Sequence, residues 1–135
     1  MWSYTGLYNG FLLLNQAKPQ NRMADLIKDF NDYRARMNEV ILSKDNLVMK
    51  RFWSLDNQAY AEGALPAKTK ELMGLVASAV LRCDDCIFYH AIQAYRLGVH
   101  RVEQEEALSV AMVVGGSIVI PHLRRAYELL GELYG

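Results

Sequence analysis

Apolar positions recur at three- and four-residue intervals along most of the chain, which is the spacing of one face of an α-helix. A first run of this kind covers residues 23–41, and a second leads from Leu47 to Tyr60. Ser43 or Asp45 is the expected N-cap of the second helix, because short polar side chains accept hydrogen bonds from the first free amides of a helix. The pattern therefore predicts two helices in the first half of the chain.

Four further helices are predicted in the second half. Pro66 suits the first turn of a third helix. A fourth begins near Cys83 and ends at Gly98, since glycine readily adopts the left-handed conformation that closes a helix. A fifth follows His100, and the last covers residues 118–134.

One segment fits two structures. Residues 113–120 place β-branched runs on both sides of two adjacent glycines, which would also suit a β-hairpin. The acidic stretch before this segment and the helical spacing of Leu123, Tyr127 and Leu130 after it favour two helices around a Gly-Gly corner. We therefore expect an all-α fold, a compact bundle of about six helices.

Length and composition indicate one folded domain. The chain has 135 residues, of which 52% are hydrophobic, enough for a core without metals or disulfides. We expect residues 1–20 to form an N-terminal extension and residues 21–135 the helical domain. Lys+Arg and Asp+Glu each number 15, and this balance argues against a nucleic-acid partner and favours a homo-oligomer.

The chain shows no sign of export or membrane insertion. Its first residues lack the basic region of a signal peptide. The longest uncharged internal stretch, residues 107–123, is interrupted by polar residues and is too short to span a bilayer. We therefore expect a cytoplasmic protein without a membrane partner.

The chemistry is concentrated in one short motif. The two cysteines of the chain lie three positions apart, in Cys83-Asp84-Asp85-Cys86, and His90 follows four positions later. On a helix, positions 83, 86 and 90 fall within an arc of about 60°. Both thiols and the imidazole therefore share one face.

A redox dithiol is the first interpretation of this motif. Two such cysteines can form a disulfide when the first lies at the start of a helix. A helix N-terminus and a neighbouring histidine both raise the thiolate fraction of a cysteine. Peroxide reduction fits, because one thiolate can attack the O–O bond and become a sulfenic acid while the other thiol closes the disulfide.

Two other interpretations remain open. Cys83, Cys86 and His90 could bind zinc, with a fourth ligand from His122, His100 or Glu71, although a structural zinc site usually has a second compact ligand pair. The cysteines could also be buried core residues, which the polar surroundings of Cys83 disfavour. A thioredoxin fold is disfavoured because no βαβ setting surrounds the motif.

Glu71 is the remaining candidate. It lies in the predicted helix before the motif, where an acidic residue near the N-terminus is favoured by the helix dipole. It could instead orient His90 and keep the imidazole basic. The spacing alone does not place Glu71 beside His90.

The stretch from Glu71 to His90, with a glutamate twelve positions before Cys-x-x-Cys-x-x-x-His, resembles the signature of the alkylhydroperoxidase D-like family, a part of the carboxymuconolactone decarboxylase superfamily. The resemblance covers residues 30–130 and is firmest over residues 66–123. It implies an all-helical fold that assembles as trimers or hexamers. It also implies a thiol peroxidase or disulfide reductase activity without a bound cofactor or metal.

The same resemblance implies a role for each residue. Cys86 resembles the peroxidatic thiol and Cys83 the resolving thiol, while His90 takes the proton of Cys86 and Glu71 holds His90. The substrate would be a hydroperoxide, with a lactone or a protein disulfide as the alternative, and a lipoyl or thioredoxin-like protein would serve as the external dithiol reductant.

Asp85 is a departure from the best-studied alkylhydroperoxidase D pattern, which has a histidine directly before the second cysteine. A histidine there could join a proton relay, whereas an ionised aspartate disfavours the neighbouring thiolate by like-charge repulsion. We therefore expect Asp85 to weaken peroxidase activity.

Overall fold

The computed structural model of the chain describes residues 19–135, with side chains from residue 26 onward. It contains six α-helices: α1 (Pro19–Ser43), α2 (Leu47–Tyr60), α3 (Ala67–Val80), α4 (Asp84–Arg96), α5 (Arg101–Gly115) and α6 (Ile120–Tyr134). A 3-10 turn over Ser117–Val119 precedes α6. No residue from 19 to 135 lies in a β-strand, which confirms the all-α prediction.

The core lies around α3, which packs against α4 on one side and α5 on the other, while α4 also packs against α6. Its members are apolar side chains at the helical spacing seen in the sequence. They are Leu75, Ala79, Ile87, Ala91, Ile92, Leu108, Ala111, Val119, Ala126, Leu129 and Leu130. The close pairing of α3 with α4 brings the residues before the cysteine motif against those that follow it.

The N-cap of α2 is Asn46, so the prediction of Ser43 or Asp45 was wrong. Asn46 Oδ1 accepts hydrogen bonds from the amides of Val48 at 3.1 Å and Met49 at 3.2 Å. Helix α2 begins at residue 47, and only the side chain directly before it reaches these amides. Ser43 instead is the last residue of α1.

The Gly-Gly segment is a corner between two helices, as the sequence favoured. Helix α5 continues to Gly115, and the chain turns at Gly116, where a φ of 77° suits glycine rather than a residue with a side chain. The last helix begins at Ile120, two positions after its predicted start, because the 3-10 turn takes up the residues between.

Helix α1 begins at Pro19, so the predicted boundary at residue 20 falls inside it. The predicted N-terminal extension otherwise lies outside the described residues. Helix α2 contains no buried residue. Among the described helices, none combines the length and the apolar character needed to cross a membrane.

Candidate active site

The connection between α3 and α4 sets the position of the cysteine pair. Leu81 follows α3, and Arg82 adopts a left-handed backbone with φ 61°. The amide of Cys83 donates to the carbonyl of Ser78 at 3.0 Å, and that of Arg82 donates to the carbonyl of Ala79 at 3.1 Å. This is the Schellman arrangement, which usually has glycine in the left-handed position. It places Cys83 directly before α4.

Cys83 and Cys86 are joined by a disulfide, with their Cα atoms 5.2 Å apart. Cys83 is the N-cap of α4, and its sulfur accepts a hydrogen bond from the amide of Cys86 at 3.3 Å. Cys86 is exposed, whereas Cys83 is half-buried. Once reduced, both sulfurs would lie at the positive end of the helix dipole, which favours the thiolate form.

His90 and Glu71 form a buried pair between α4 and α3. The distance from His90 Nδ1 to Glu71 Oε2 is 2.7 Å, and the side chains are only 10% and 7% exposed. An ionised carboxylate can only accept a hydrogen bond, so the Nδ1 of a neutral imidazole carries the hydrogen and Nε2 carries the lone pair. The fold thus brings together two predicted residues that their spacing in sequence could not connect.

Tyr60, the last residue of α2, is a further residue at this site. Its Oη lies 3.4 Å from His90 Nε2, and the two ring centroids are 5.0 Å apart with an interplanar angle of 30°. Burial raises the pKa of the Tyr60 phenol above its ordinary value, and the charges of Glu71 and Asp56 add to this effect. The hydroxyl is therefore a hydrogen-bond donor at neutral pH.

The sequence does not predict this position of Tyr60, because no spacing rule connects it with a histidine on another helix. Gly74 on α3 explains how the two rings fit. A Cβ at this position would lie 2.6 Å from His90 Cε1 and 2.8 Å from Tyr60 Oη, closer than real contacts allow. The imidazole and the phenol therefore occupy the space that the missing side chain leaves.

A cavity of about 460 Å³ opens beside the disulfide. Helices α1, α2 and α4 form its walls, which are mainly aromatic and aliphatic. The lining residues are Phe30, Tyr33, Arg34, Met37, Asn38, Ile41, Asp56, Asp85, Cys86, Tyr89 and His90. The Arg34 guanidinium lies 3.7 Å from the centroid of the Tyr89 ring. Cys86 and His90 thus face one space that is large enough for an organic molecule.

The two aspartates between the cysteines have different surroundings. Asp84 accepts hydrogen bonds from His122 Nδ1 and Arg125 Nη1, both at 2.7 Å. Burial alone would raise the pKa of the Asp84 carboxyl, but these hydrogen bonds and charges outweigh it and lower the pKa below its ordinary value. Asp85 is exposed and lines the cavity with Cys86.

The residues considered for zinc are engaged elsewhere. His122 pairs with Asp84, Glu71 pairs with His90, and His100 is the N-cap of α5. Within residues 19–135, no three or more His, Cys, Asp or Glu side chains are grouped so that they could hold a metal ion.

Residues 46–129, more than half of the chain, match the carboxymuconolactone decarboxylase family. The chain belongs to this family. The resemblance inferred from the Cys-x-x-Cys-x-x-x-His signature is thereby confirmed at the level of the carboxymuconolactone decarboxylase family.

Solved structures of the carboxymuconolactone decarboxylase family share the fold. Two crystal structures of a protein from Thermotoga maritima are 55% and 57% identical to this chain, with TM-scores of 0.75 and 0.77. Each covers 78% of this chain, which corresponds to 89% and 93% of the Thermotoga chains. An involvement in the antioxidative response has been suggested for that protein.

A more distant member of the carboxymuconolactone decarboxylase family, in its apo form from Legionella pneumophila, is 27% identical, with a TM-score of 0.68. That comparison covers 85% of this chain and 99% of the Legionella chain.

Two curated relatives are uncharacterised proteins. One from Cupriavidus necator is 34% identical over 68 residues, 50% of this chain and 60% of the relative. The other, encoded in the cox locus of Paracoccus denitrificans, is 31% identical over 84 residues, 62% of this chain and 76% of the relative. The chain thus spans less than two thirds of the Cupriavidus protein.

Proposed function

We propose that this protein is a thiol-dependent hydroperoxide reductase that uses Cys83 and Cys86 as a reversible dithiol. One observation carries the proposal: the disulfide lies at the head of α4, and Cys86 opens on the same cavity as the buried His90. A nucleophilic thiol, a base and a residue that orients the base are the groups that peroxide reduction requires. Glu71 supplies the orienting carboxylate, 2.7 Å from His90.

In the first step, the Tyr60 hydroxyl releases the lone pair of His90 Nε2, and Nε2 then takes the proton of the Cys86 thiol. The thiolate attacks the terminal oxygen of the hydroperoxide, and the O–O bond breaks. The leaving alkoxide takes the proton from His90, so that the products are an alcohol and a Cys86 sulfenic acid.

In the second step, the Cys83 thiol attacks the sulfenic sulfur, an S–S bond forms, and water leaves. An external dithiol, such as a lipoyl or thioredoxin-like protein, then gives two electrons and two protons to the disulfide and itself becomes a disulfide. The assignment of Cys86 as the attacking thiol is supported by its exposure and its place in the cavity wall.

The cavity favours organic hydroperoxides over hydrogen peroxide. Its volume of about 460 Å³ far exceeds that of hydrogen peroxide, and apolar side chains dominate the wall that α1 supplies. Burial of an apolar substituent against these side chains would hold the hydroperoxide beside Cys86. Because the cycle needs a supply of reduced dithiols, we place the protein in the cytoplasm.

A homo-oligomer is also part of the proposal. Apolar side chains on α3 and α5 and beside them are strongly exposed: Met73 (57%), Leu81 (74%), Val110 (54%), Val113 (84%) and Val114 (68%). An exposed apolar patch of this kind is typical of a surface that another protein covers. Sedimentation should give a trimer or hexamer, and Val113→Glu should shift it towards the monomer.

Peptide mass mapping after one equivalent of an organic hydroperoxide tests the redox cycle. The fully reduced wild type should lose two hydrogens and yield one peptide linked through Cys83 and Cys86. Cys83→Ser should stop at a Cys86 sulfenic acid, and Cys86→Ser should leave the peroxide unconsumed. If the double serine variant consumed peroxide as fast as the wild type, the proposal would be wrong.

A further inference from the structure

His90 has a partner on each ring nitrogen. Glu71 Oε2 lies 2.7 Å from Nδ1, and Tyr60 Oη lies 3.4 Å from Nε2. Because the Glu71 carboxylate accepts the hydrogen of Nδ1, the lone pair of Nε2 is left to accept a hydrogen bond from the phenol.

The two partners act on the imidazole in opposite directions. A carboxylate beside Nδ1 favours the protonated, cationic ring. A hydroxyl that donates to Nε2 favours the neutral ring, because only the neutral ring has the lone pair that accepts this hydrogen bond. A ring that is already protonated cannot take a proton from a thiol.

Several contacts hold the Tyr60 phenol in this place. Its ring lies against the imidazole, and its hydroxyl fills the space above Gly74. Lys70 on α3 donates to the carbonyl oxygens of Ala59 and Ala61, at 2.9 and 2.6 Å, and so fixes the last turn of α2. The residues directly before and after Tyr60 are thus both held by hydrogen bonds from Lys70.

We propose that Tyr60 is a positioning residue for His90, and that its hydroxyl keeps the buried imidazole in the neutral form with the hydrogen on Nδ1, against the effect of Glu71. The consequence for catalysis rests on the proposed function. The effect on the protonation of His90 does not depend on the proposed function, because it follows from the two hydrogen bonds alone.

Other titratable and charged groups also face His90. Arg34 on α1, Asp56 on α2 and Asp85 on α4 line the cavity that His90 opens on, together with Cys86. Tyr89 contacts the ring edge, with centroids 5.1 Å apart. All of these groups stay in place in Tyr60→Phe, so this substitution isolates the effect of one hydroxyl while the aromatic ring is kept.

The test is a nitrogen-15 NMR titration of His90 in the oxidised protein, where the disulfide removes thiol ionisation. Tyr60→Phe should move the titration midpoint of His90 to higher pH by about half a unit to one unit, the effect of losing one neutral hydrogen bond. Tyr89→Phe is the matched control, since it removes a hydroxyl from the ring that meets His90 edge-on. The titration midpoint of His90 in Tyr89→Phe should stay at the wild-type value.

A midpoint that stays in place in Tyr60→Phe, or that moves to lower pH, would overturn the inference. In the latter case the hydroxyl would accept from the protonated ring rather than donate to the neutral one. If Tyr60→Phe does not fold, 3-fluorotyrosine at position 60 keeps the shape of the side chain and donates more strongly, so the midpoint should then move to lower pH. An unmoved midpoint with this analogue would equally contradict the inference.

Peroxide turnover is measured separately. If the titration shift is as expected but peroxide does not produce the disulfide, the inference about Tyr60 stands and the proposed function is wrong. If both hold, the acidic limb of the pH profile of kcat/KM should move with the His90 titration in Tyr60→Phe.

Discussion

Glu71 Oε2 lies 2.7 Å from His90 Nδ1, although 19 positions separate the two residues. The pairing of α3 with α4 buries this hydrogen bond. A buried acceptor on one ring nitrogen fixes the tautomer and leaves the other nitrogen for proton transfer. The packing of α3 against α4 thus adds an oriented histidine to the cysteine motif, and the two together form a candidate active site.

Loss of the Glu71 carboxylate should destabilise the fold. Glu71→Ala leaves the Nδ1 hydrogen of His90 buried without an acceptor, which should lower the free energy of unfolding by about 1–3 kcal/mol. Glu71→Gln keeps a carbonyl oxygen that can accept the hydrogen bond from His90 Nδ1, so the decrease in unfolding free energy should be smaller. Urea unfolding of the oxidised protein measures both. Glu106→Ala, at an exposed position, is the control and should stay within about 0.5 kcal/mol of the wild type. Equal losses in Glu71→Ala and Glu106→Ala would contradict the prediction.

Gly74→Ala should disturb both rings of the site. The added Cβ would lie 2.7 Å from His90 Nδ1 and 2.8 Å from Tyr60 Oη, so the rings must move. We expect a loss of about 1–3 kcal/mol in unfolding free energy. Gly131→Ala is the matched control, because it is also within a helix but its Cβ would meet no atom within 4 Å. That variant should gain about 0.5–1 kcal/mol. A gain in Gly74→Ala as well would show that the site has room for the methyl group.

The Asp84 carboxyl should make stability depend on pH. The folded pKa of Asp84 lies below its unfolded value, so the contribution is complete above the unfolded pKa of about 3.9 and is lost as pH falls through the folded pKa. The difference in unfolding free energy between wild type and Asp84→Asn should therefore be present at about pH 5, roughly one unit above the unfolded pKa, and should shrink as the pH falls below that value. Chemical denaturation at a series of pH values measures this. A difference that grows as pH falls would contradict the assignment.

Asp85→Asn should make Cys86 more reactive in the reduced protein. Removing a negative charge beside the thiol favours the thiolate, and we expect alkylation of Cys86 to become about two- to tenfold faster at neutral pH. Asp85→Glu keeps the charge and should react at nearly the wild-type rate. High salt should reduce the difference, because the side chain is exposed. An Asp85→Asn rate equal to that of the wild type would mean that the aspartate does not restrain the thiol.

The periodicity of the sequence was sufficient for the helices, because apolar positions such as Leu75, Ala79 and Ala91 have to face one core. The pairing of Cys83 with Cys86 follows from local geometry within one turn. Contacts between helices are different. Nothing local connects Tyr60 with His90, and Asn46 replaced the predicted caps because capping depends on the residue at which a helix begins.

The family resemblance predicted part of the site that the spacing of residues along one helix could not predict. The spacing left open whether Glu71 contacts His90, the family signature implied that it does, and the fold places the two side chains together. The space above Gly74 and the pairing of Asp84 with His122 are tertiary features that no sequence spacing encodes. These features belong to the packing of α3, α4 and α6, which a pattern along one helix does not describe.

Helix α2 has no buried residue, and its C-terminal end is held by Lys70 and Tyr60. Segments with so little burial open locally far more often than the rest of a fold, and hydrogen exchange reports this opening. The amides after Leu47 should therefore exchange with deuterium sooner than those near Tyr60, as the helix frays from its start. Each complete opening of α2 would also expose His90 to water. A molecule that binds over α2 would therefore make this exposure less frequent.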